Sequence, residues 1–527
     1  MASSLFLRKS LAECEADAER RGGLKRSLNK WHLTALGVGA TIGAGIFATT
    51  GTAIVGDPSR PGAGPAIVFS FLLTAVACGF AALCYAEFAA MVPISGSAYT
   101  YAYASIGEFV AWIIGWDLII EYAVGNIGVA IGWAGYFREL INHFGLDLPA
   151  WLATDYRTAH DAFRMLSSMP NDPVTRYMAS AWTNAPHLFG LPFIVNLPAV
   201  AVVAVITVIL VIGIKESADT NNAMVLLKIG IILFFIAVGL FLIKPHNWTD
   251  KASGGFAPNG FAGISAAAAI IFFSYIGFDA VSTAAEEAKN PAKDMPFGIV
   301  MSLVVCTVLY IAISIVMTGV APWKLLGTPE PMITALQYAS GPRGLLNASR
   351  FIIALGAVIA MGSVLLVFQL GQPRIFFSMA RDGLLPPVMA KVHPKYKTPY
   401  VGTILTGVFV ATFSAFANIS EVVDLTNIGT LFAFVLVSAG VILLRRLEPE
   451  RPRPFRVPWV PITPFISIAA CAYLMFQLPA ITWARFVAWL ILGLVFYFFY
   501  GYRHSALRRR SLGMAAAPAG ESTTTGA

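Results

Sequence analysis

Twelve stretches of about 20 apolar residues run through this chain, and a soluble fold has nowhere to bury them. They lie at about 33–54, 65–92, 108–137, 193–214, 221–243, 261–286, 297–320, 348–379, 400–417, 425–444, 462–480 and 483–502. A helix rising 1.5 Å per residue needs roughly 20 residues to cross the ~30 Å hydrocarbon layer of a bilayer. Only 12% of the 527 residues are charged, about half the usual share of a soluble protein. A membrane β-barrel would read as short alternating segments, and the sequence has none. The chain is therefore predicted to be an all-α polytopic membrane protein with about 12 transmembrane helices in a lipid bilayer.

The net charge of +8 does not point to nucleic acid, because the basic residues cluster beside apolar runs. They form "RRLEPERPRPFR", the loop from Arg374 to Lys397, and "RHSALRRR" near the C-terminus. An even number of spans puts both ends on one side, and the positive-inside rule makes that side cytoplasmic. The 1–32 tail, with "EADAERRGGLKRSLNK", is too charged for a signal peptide. Segment 138–192 reads as a small ordered outer cap, and the tail after about 511, "SLGMAAAPAGESTTTGA", as disordered. Cys14 lies in the polar tail, whereas Cys78, Cys84, Cys306 and Cys471 fall in apolar runs as small hydrophobes, so no disulfide framework is expected.

Glycine costs about 1 kcal/mol in a helix interior, yet the first span carries "GVGATIGAGIFATTG", residues 37–51. Two readings follow. Unwinding at "IGAGI" exposes amide N–H groups that bind a carboxylate at the start of the following half-helix; alternatively, small residues let helices pack closely. The sixth span favours the first. It reads "AAAAIIFFSYIGFDAVSTAAEEAKNP", with Ser274, Gly277 and Asp279 interrupting it. Spans one and six then open two five-helix halves, in opposite orientation because five is odd. Paired interruptions at corresponding positions mark the midplane site of a transporter.

Charges at membrane depth cost an estimated ~2.5–3.5 kcal/mol and are functional candidates by default. Asp117 and Glu121 in "GWDLIIEYAVGN" are four apart and share a helix face; the alternative is a structural pair bonded to its neighbours. Lys228, in "NNAMVLLKIGIILFF", either snorkels to the interface or bridges the unwound part of span one as a group that gains and loses a proton. Asp279 either recognises a cationic substrate group or caps the half-helix that follows. The histidines all fall in loops, tails or span edges, so no buried histidine relay is expected.

Four motifs in order, "GVGATIGAGIF", "PISGSAYTYAYASIGEFVAWIIGWDLIIEY", "FSYIGFDAVSTAAEEAKNP" and "PRIFFSMARDGLLP", resemble the amino acid–polyamine–organocation superfamily, in its cationic amino acid transporter branch, as a bacterial member. The resemblance runs from about Leu33 to Tyr502. It implies the leucine-transporter fold: a 5+5 inverted repeat (33–243 and 261–444) plus two extra helices (462–502), with spans one and six broken. It implies that the substrate α-carboxylate binds amides around Gly43, Ala44 and Gly45, and that the α-amino group binds carbonyls of Ile42, Phe273, Ser274 and Tyr275. Ile276 and Phe278 would shape the side-chain pocket, Phe278 as a possible gate, and Met361 would narrow it. Glu121 and Asp279 match acidic positions of the cationic branch. Lys228 matches the span-five lysine of proton-coupled relatives, with the carbonyl of Gly39 and the hydroxyl of Ser363 as expected partners. Ala44 stands where relatives carry a hydroxyl.

The expected function is proton-coupled symport of L-amino acids across the plasma membrane by alternating access, with a cationic amino acid exchanger or facilitator driven by membrane potential as the alternative. No cofactor and no metal are expected. An enzyme is disfavoured by the lack of HExxH, GxSxG or an acid–histidine cluster in the spans, a channel by the lack of a filter motif, and a sensor by the lack of a long regulatory tail. Substrate range, stoichiometry and an accessory subunit or sterol partner stay open.

Overall fold

The structure, a computed structural model, describes residues 5–9, 27–91, 97–167, 173–213, 218–251 and 254–512. Cys14, the start of the "PISGSAYTYAY" motif and the tail beyond 512 lie outside the described residues.

Among the described residues, thirteen apolar helices follow one another along the bundle: α1 (Lys30–Thr41), α2 (Gly45–Val55), α3 (Gly64–Met91), α4 (Glu108–Asn142), α5 (Leu197–Ile212), α6 (Ala218–Leu240), α7 (Gly260–Ile271), α8 (Pro291–Val320), α9 (Arg343–Arg381), α10 (Tyr400–Phe416), α11 (Ile419–Leu447), α12 (Ile462–Phe476) and α13 (Ala480–His504). Eight segments are long and apolar enough to cross a membrane, α1 and α2 form one bent pair, and α5, α10 and α12 are shorter apolar helices. In order they correspond to the twelve apolar runs of the sequence.

Helix ends follow local chemistry. Asn29 and His32 form a reciprocal cap on α1, the Asn196 side chain accepts from the amide of Ala199 on α5, and proline starts α8. Apolar side chains that find no protein neighbour face outward, such as Phe69, Leu72 and Val76 on α3 and Leu226 and Leu233 on α6. Such surface is stable only against lipid. The most apolar stretch of α4 is 89% buried and that of α13 only 22%, so α4 is central and α13 peripheral.

Neighbour relations repeat across the two halves. Helix α3 packs on α8, α4 on α9 and α5 on α10, pairing each helix with its counterpart five spans later. Contact of α1 with α8 is mirrored by α7 with α3, and contact of α6 with α9 by α11 with α4. This is the neighbour pattern of a five-plus-five repeat.

Between α4 and α5, helices Tyr156–Met165 and Pro173–Asn184 and the hairpin β3–β4 (His187–Leu188 with Leu191–Pro192) form the cap; an earlier hairpin, β1–β2, pairs Gly56–Asp57 with Arg60–Pro61. The cap has its own small core of Ala150, Ala159, Ala181, Ala185 and Ile194. Segments near the two ends of the described residues meet one loop: Lys9 Nζ reaches Asp382 Oδ1 at 3.0 Å, and the amide of Ala506 donates to the Asp382 carbonyl at 2.9 Å.

Candidate functional site

The first break follows directly from "IGAGI". Helix α1 stops at Thr41, Ile42 adopts an extended conformation (φ −74°, ψ 99°), and α2 restarts at Gly45 through a π-helical turn, at 41° to α1. The amides of Gly43, Ala44, Gly45 and Ile46 have no backbone acceptor among the described residues. They form the free N-terminal end of α2, which carries partial positive charge and suits an anion.

The second break lies against the first. Helix α7 gives way to a 3₁₀ turn at Phe272–Tyr275, an extended Ile276, and Gly277 at φ +117°, followed by a 3₁₀ segment, Phe278–Glu287. A Cβ at Gly277 would lie 2.7 Å from the Ala40 carbonyl oxygen, and one at Gly45 would collide with the Ser274 backbone. The two readings of these glycines therefore coexist. They permit the breaks, and they let the two broken backbones touch.

Around the breaks, Gly132 of α4 lies where Ala44, Ala48 and Met361 converge, and Gly128 faces the Phe273 ring. Val364 of α9 stands 3.0 Å from where a Gly43 Cβ would be. Phe278 is held in an aromatic cluster with Tyr85 and Phe434, at ring distances of 6.2 and 5.3 Å. Tyr275 turns toward α3, its hydroxyl donating to the Phe71 carbonyl at 3.1 Å.

Glu121 sits in a π-helical turn of α4, Ile120–Val124, fully buried beside Asp279 and Thr430. Glu121 Oε2, Asp279 Oδ2, Thr430 Oγ1 and Ser274 Oγ are buried with no hydrogen-bond partner among the described residues. Two carboxyl groups side by side repel when both are ionised, so the pair demands a proton or a cation between them. Asp279 does not occupy the capping position, which Gly277 holds; its Oδ1 accepts from the Gly277 amide at 3.3 Å. Asp117 lies one turn away, its Oδ1 against Gly429 of α11.

Lys228 is 1% exposed and does not snorkel. Its Nζ donates to the Gly39 carbonyl oxygen at 2.5 Å and forms no ion pair among the described residues. The hydroxyl expected beside it is engaged elsewhere: Ser363 Oγ donates to the Ala360 carbonyl at 2.9 Å in its own helix. A serine at membrane depth satisfies itself this way when no outside acceptor is closer.

Groups that sequence reasoning passed over surround this centre. Arg60 bridges Asp57 (3.0 Å) and Asp424 (2.6 Å), Arg138 meets Glu330 at 2.5 Å, and Tyr310 donates to the Thr41 carbonyl at 3.2 Å. Asn427 donates to the carbonyls of Ala269 and Ile270. The signal for Asp424, Asn427 and Thr430 was present: polar residues three apart, on one face of an apolar run.

Two broken helices touch at mid-bundle, with free amides on one and buried unpartnered groups on the other, which is the geometry of a candidate small-molecule site. The amino acid permease family model matches residues 28–497. The chain belongs to the amino acid permease family. It is thus a member of the amino acid–polyamine–organocation superfamily, a transporter and not an enzyme. It is 44% identical to the branched-chain amino acid permease BcaP of Bacillus subtilis, over 97% of this chain and 100% of that protein. It is 43% identical to the methylthioribose transporter of the same organism, over 96% and 100%. It is 30% identical to cationic amino acid transporter 4 of Mus musculus, over 92% of this chain and 89% of that one. In this permease the two interrupted spans meet among side chains of α4, α6 and α9.

Proposed function

We propose that this permease is a proton-coupled symporter of L-amino acids, working by alternating access in the plasma membrane with both termini cytoplasmic. The observation that carries the proposal is Lys228, a buried lysine bonded to the Gly39 carbonyl just before the first break and paired with no carboxylate among the described residues. An ammonium there ties α1 to α6; loss of its proton removes charge and one donor and weakens that tie. Protonated Lys228 accordingly favours the outward-facing state, substrate binding closes the outer path, and proton loss accompanies release inside.

In this reading the substrate carboxylate lies on the amides of Gly43, Ala44 and Gly45. Its ammonium lies on the carbonyls of Ile42, Phe273, Ser274 and Tyr275, and Ile276, Phe278 and Met361 bound the side chain. The two repeats run from 33 to 243 and from 261 to 444. The branched-chain permease supports a neutral substrate, and the methylthioribose transporter, nearly as similar, shows that identity at this level does not decide the substrate. One observation favours a second reading: the adjacent Glu121 and Asp279 offer a place for a substrate cation, and the mouse relative is named a cationic amino acid transporter.

Uptake of a labelled amino acid panel into sodium-free proteoliposomes, with and without an inward proton gradient and with clamped potential, tests the proposal. Gradient-driven accumulation of neutral amino acids supports symport. Arginine or lysine uptake that ignores the pH gradient replaces it with potential-driven exchange or facilitation.

A further inference from the structure

Where α7 ends at the break, the carbonyls of its last turn run short of helical donors; the Phe272 amide serves those of Ala268 and Ile270. Inside a bilayer such groups must find other partners. Two side chains from neighbouring helices take them in order. Thr74 Oγ1 of α3 shares its proton between the Ala268 carbonyl and the Ser70 carbonyl of its own helix, each at 3.0 Å, and Asn427 Nδ2 of α11 donates to those of Ala269 (2.7 Å) and Ile270 (3.1 Å). Because both partners of that amide are carbonyls, the nitrogen must face them.

Asn427 is fully buried, and its Oδ1 has no partner among the described residues. Among the described residues no side chain donates to any of the carbonyls that follow, from Ile271 through the 3₁₀ turn that ends at Tyr275. Asn427 also stands one turn from Asp424, which holds Arg60, and one turn from Thr430, beside Glu121. Helix α11 thus holds the sixth-span break by this amide as well as by Phe434, which packs on Phe272 and Phe278.

We infer that Asn427 is a positioning residue for substrate recognition: by holding the Ala269 and Ile270 carbonyls it fixes where α7 ends, and with it the 3₁₀ turn whose Phe273, Ser274 and Tyr275 carbonyls are proposed to meet the substrate α-ammonium. This rests on the proposed amino acid site. Thr74 makes the same kind of bond one residue further from the break and serves as the structural control.

The test is competition in proteoliposomes between a labelled neutral amino acid and its analogue lacking the α-amino group, on wild type, Asn427→Ala, Asn427→Ser and Thr74→Val, with thermal unfolding of each. The expected result is at least a tenfold loss of discrimination against the des-amino analogue in Asn427→Ala, carried by KM, with partial recovery in Asn427→Ser and none of this loss in Thr74→Val. Unchanged discrimination in Asn427→Ala and Asn427→Ser overturns the inference while leaving the transport reading intact, even when Tm falls. If Asn427→Ala does not fold, Asn427→Ser alone decides: discrimination equal to wild type overturns the inference. Wild-type protein that takes up no amino acid overturns both.

Discussion

Three buried cations separate this molecule into parts that hold and a part that can change. Arg60 and Arg138 are each met by carboxylates, Arg60 by Asp57 and Asp424, Arg138 by Glu330 with Glu139 at 3.3 Å. Lys228 is as deeply buried and has one backbone carbonyl. Taking a charge out of water costs several kcal/mol unless an opposite charge offsets it. Arginine keeps its proton in any such setting, whereas lysine can shed it. Arginine pairs therefore tie segments distant in sequence, and a lysine with only a carbonyl is what the proposed coupling requires: a buried cation with no carboxylate holding its charge. Burial alone does not distinguish the two roles; the partner does.

The sharpest way to break this contrast is Lys228→Ala. It is expected to reduce proton-driven accumulation to background, measured in the proteoliposome assay, while leaving the protein folded, because no buried carboxylate is stranded. A variant that still accumulates substrate against a gradient with unchanged pH dependence would sink the coupling role. The opposite pattern is expected of Arg138→Ala, which strands Glu330. Stability should fall by about 3–5 kcal/mol, read from thermal unfolding in detergent, and the double variant Arg138→Met with Glu330→Leu should recover most of it. Failure of that recovery would mean that the tie does more than balance charge.

Smaller effects sharpen the comparison at the break itself. Gly45→Ala meets backbone at Ser274, its nitrogen at 2.7 Å and its Cα closer still, whereas Gly43→Ala meets the Val364 side chain at 3.0–3.4 Å. Uptake per folded protein should drop by about tenfold, or ~1.4 kcal/mol of barrier, in the first and by much less in the second; equal losses would argue against backbone contact as the reason for glycine at 45. The smallest change is expected of Ser363→Ala, less than about twofold in uptake or ~0.4 kcal/mol, since its hydroxyl already serves Ala360. A large, pH-dependent loss there would restore serine as a partner of Lys228.

The breaks were legible because glycine and serine at the centre of an apolar run violate what a spanning helix wants, and each violation occurs at the same place in both halves. Membership of the superfamily was legible from four ordered motifs. The partners were harder to read. Gly39 was named from the resemblance and is the atom Lys228 meets, but the same reasoning offered Ser363, which the helix satisfies internally. Asp279 was weighed as a cap, and Gly277 takes that position because only glycine sits easily at φ +117°. Asn427 and Asp424 were passed over, although polar side chains in span ten carry the same cost of burial as those singled out elsewhere.

What the sequence determined by itself are properties that depend on position along one chain: which segments are apolar for the thickness of a bilayer, where a helix cannot continue, and where a charge is stranded among hydrocarbon side chains. Tertiary structure alone decided which buried groups meet. Glu121 and Asp279 are 158 positions apart, Lys228 and Gly39 189, and nothing local specifies such encounters. They arise because a polar group enclosed by the bundle is costly without a partner, and the packing of the two five-helix halves determines which partners are within reach and which groups, Glu121 and Asp279 among them, keep an unpartnered atom.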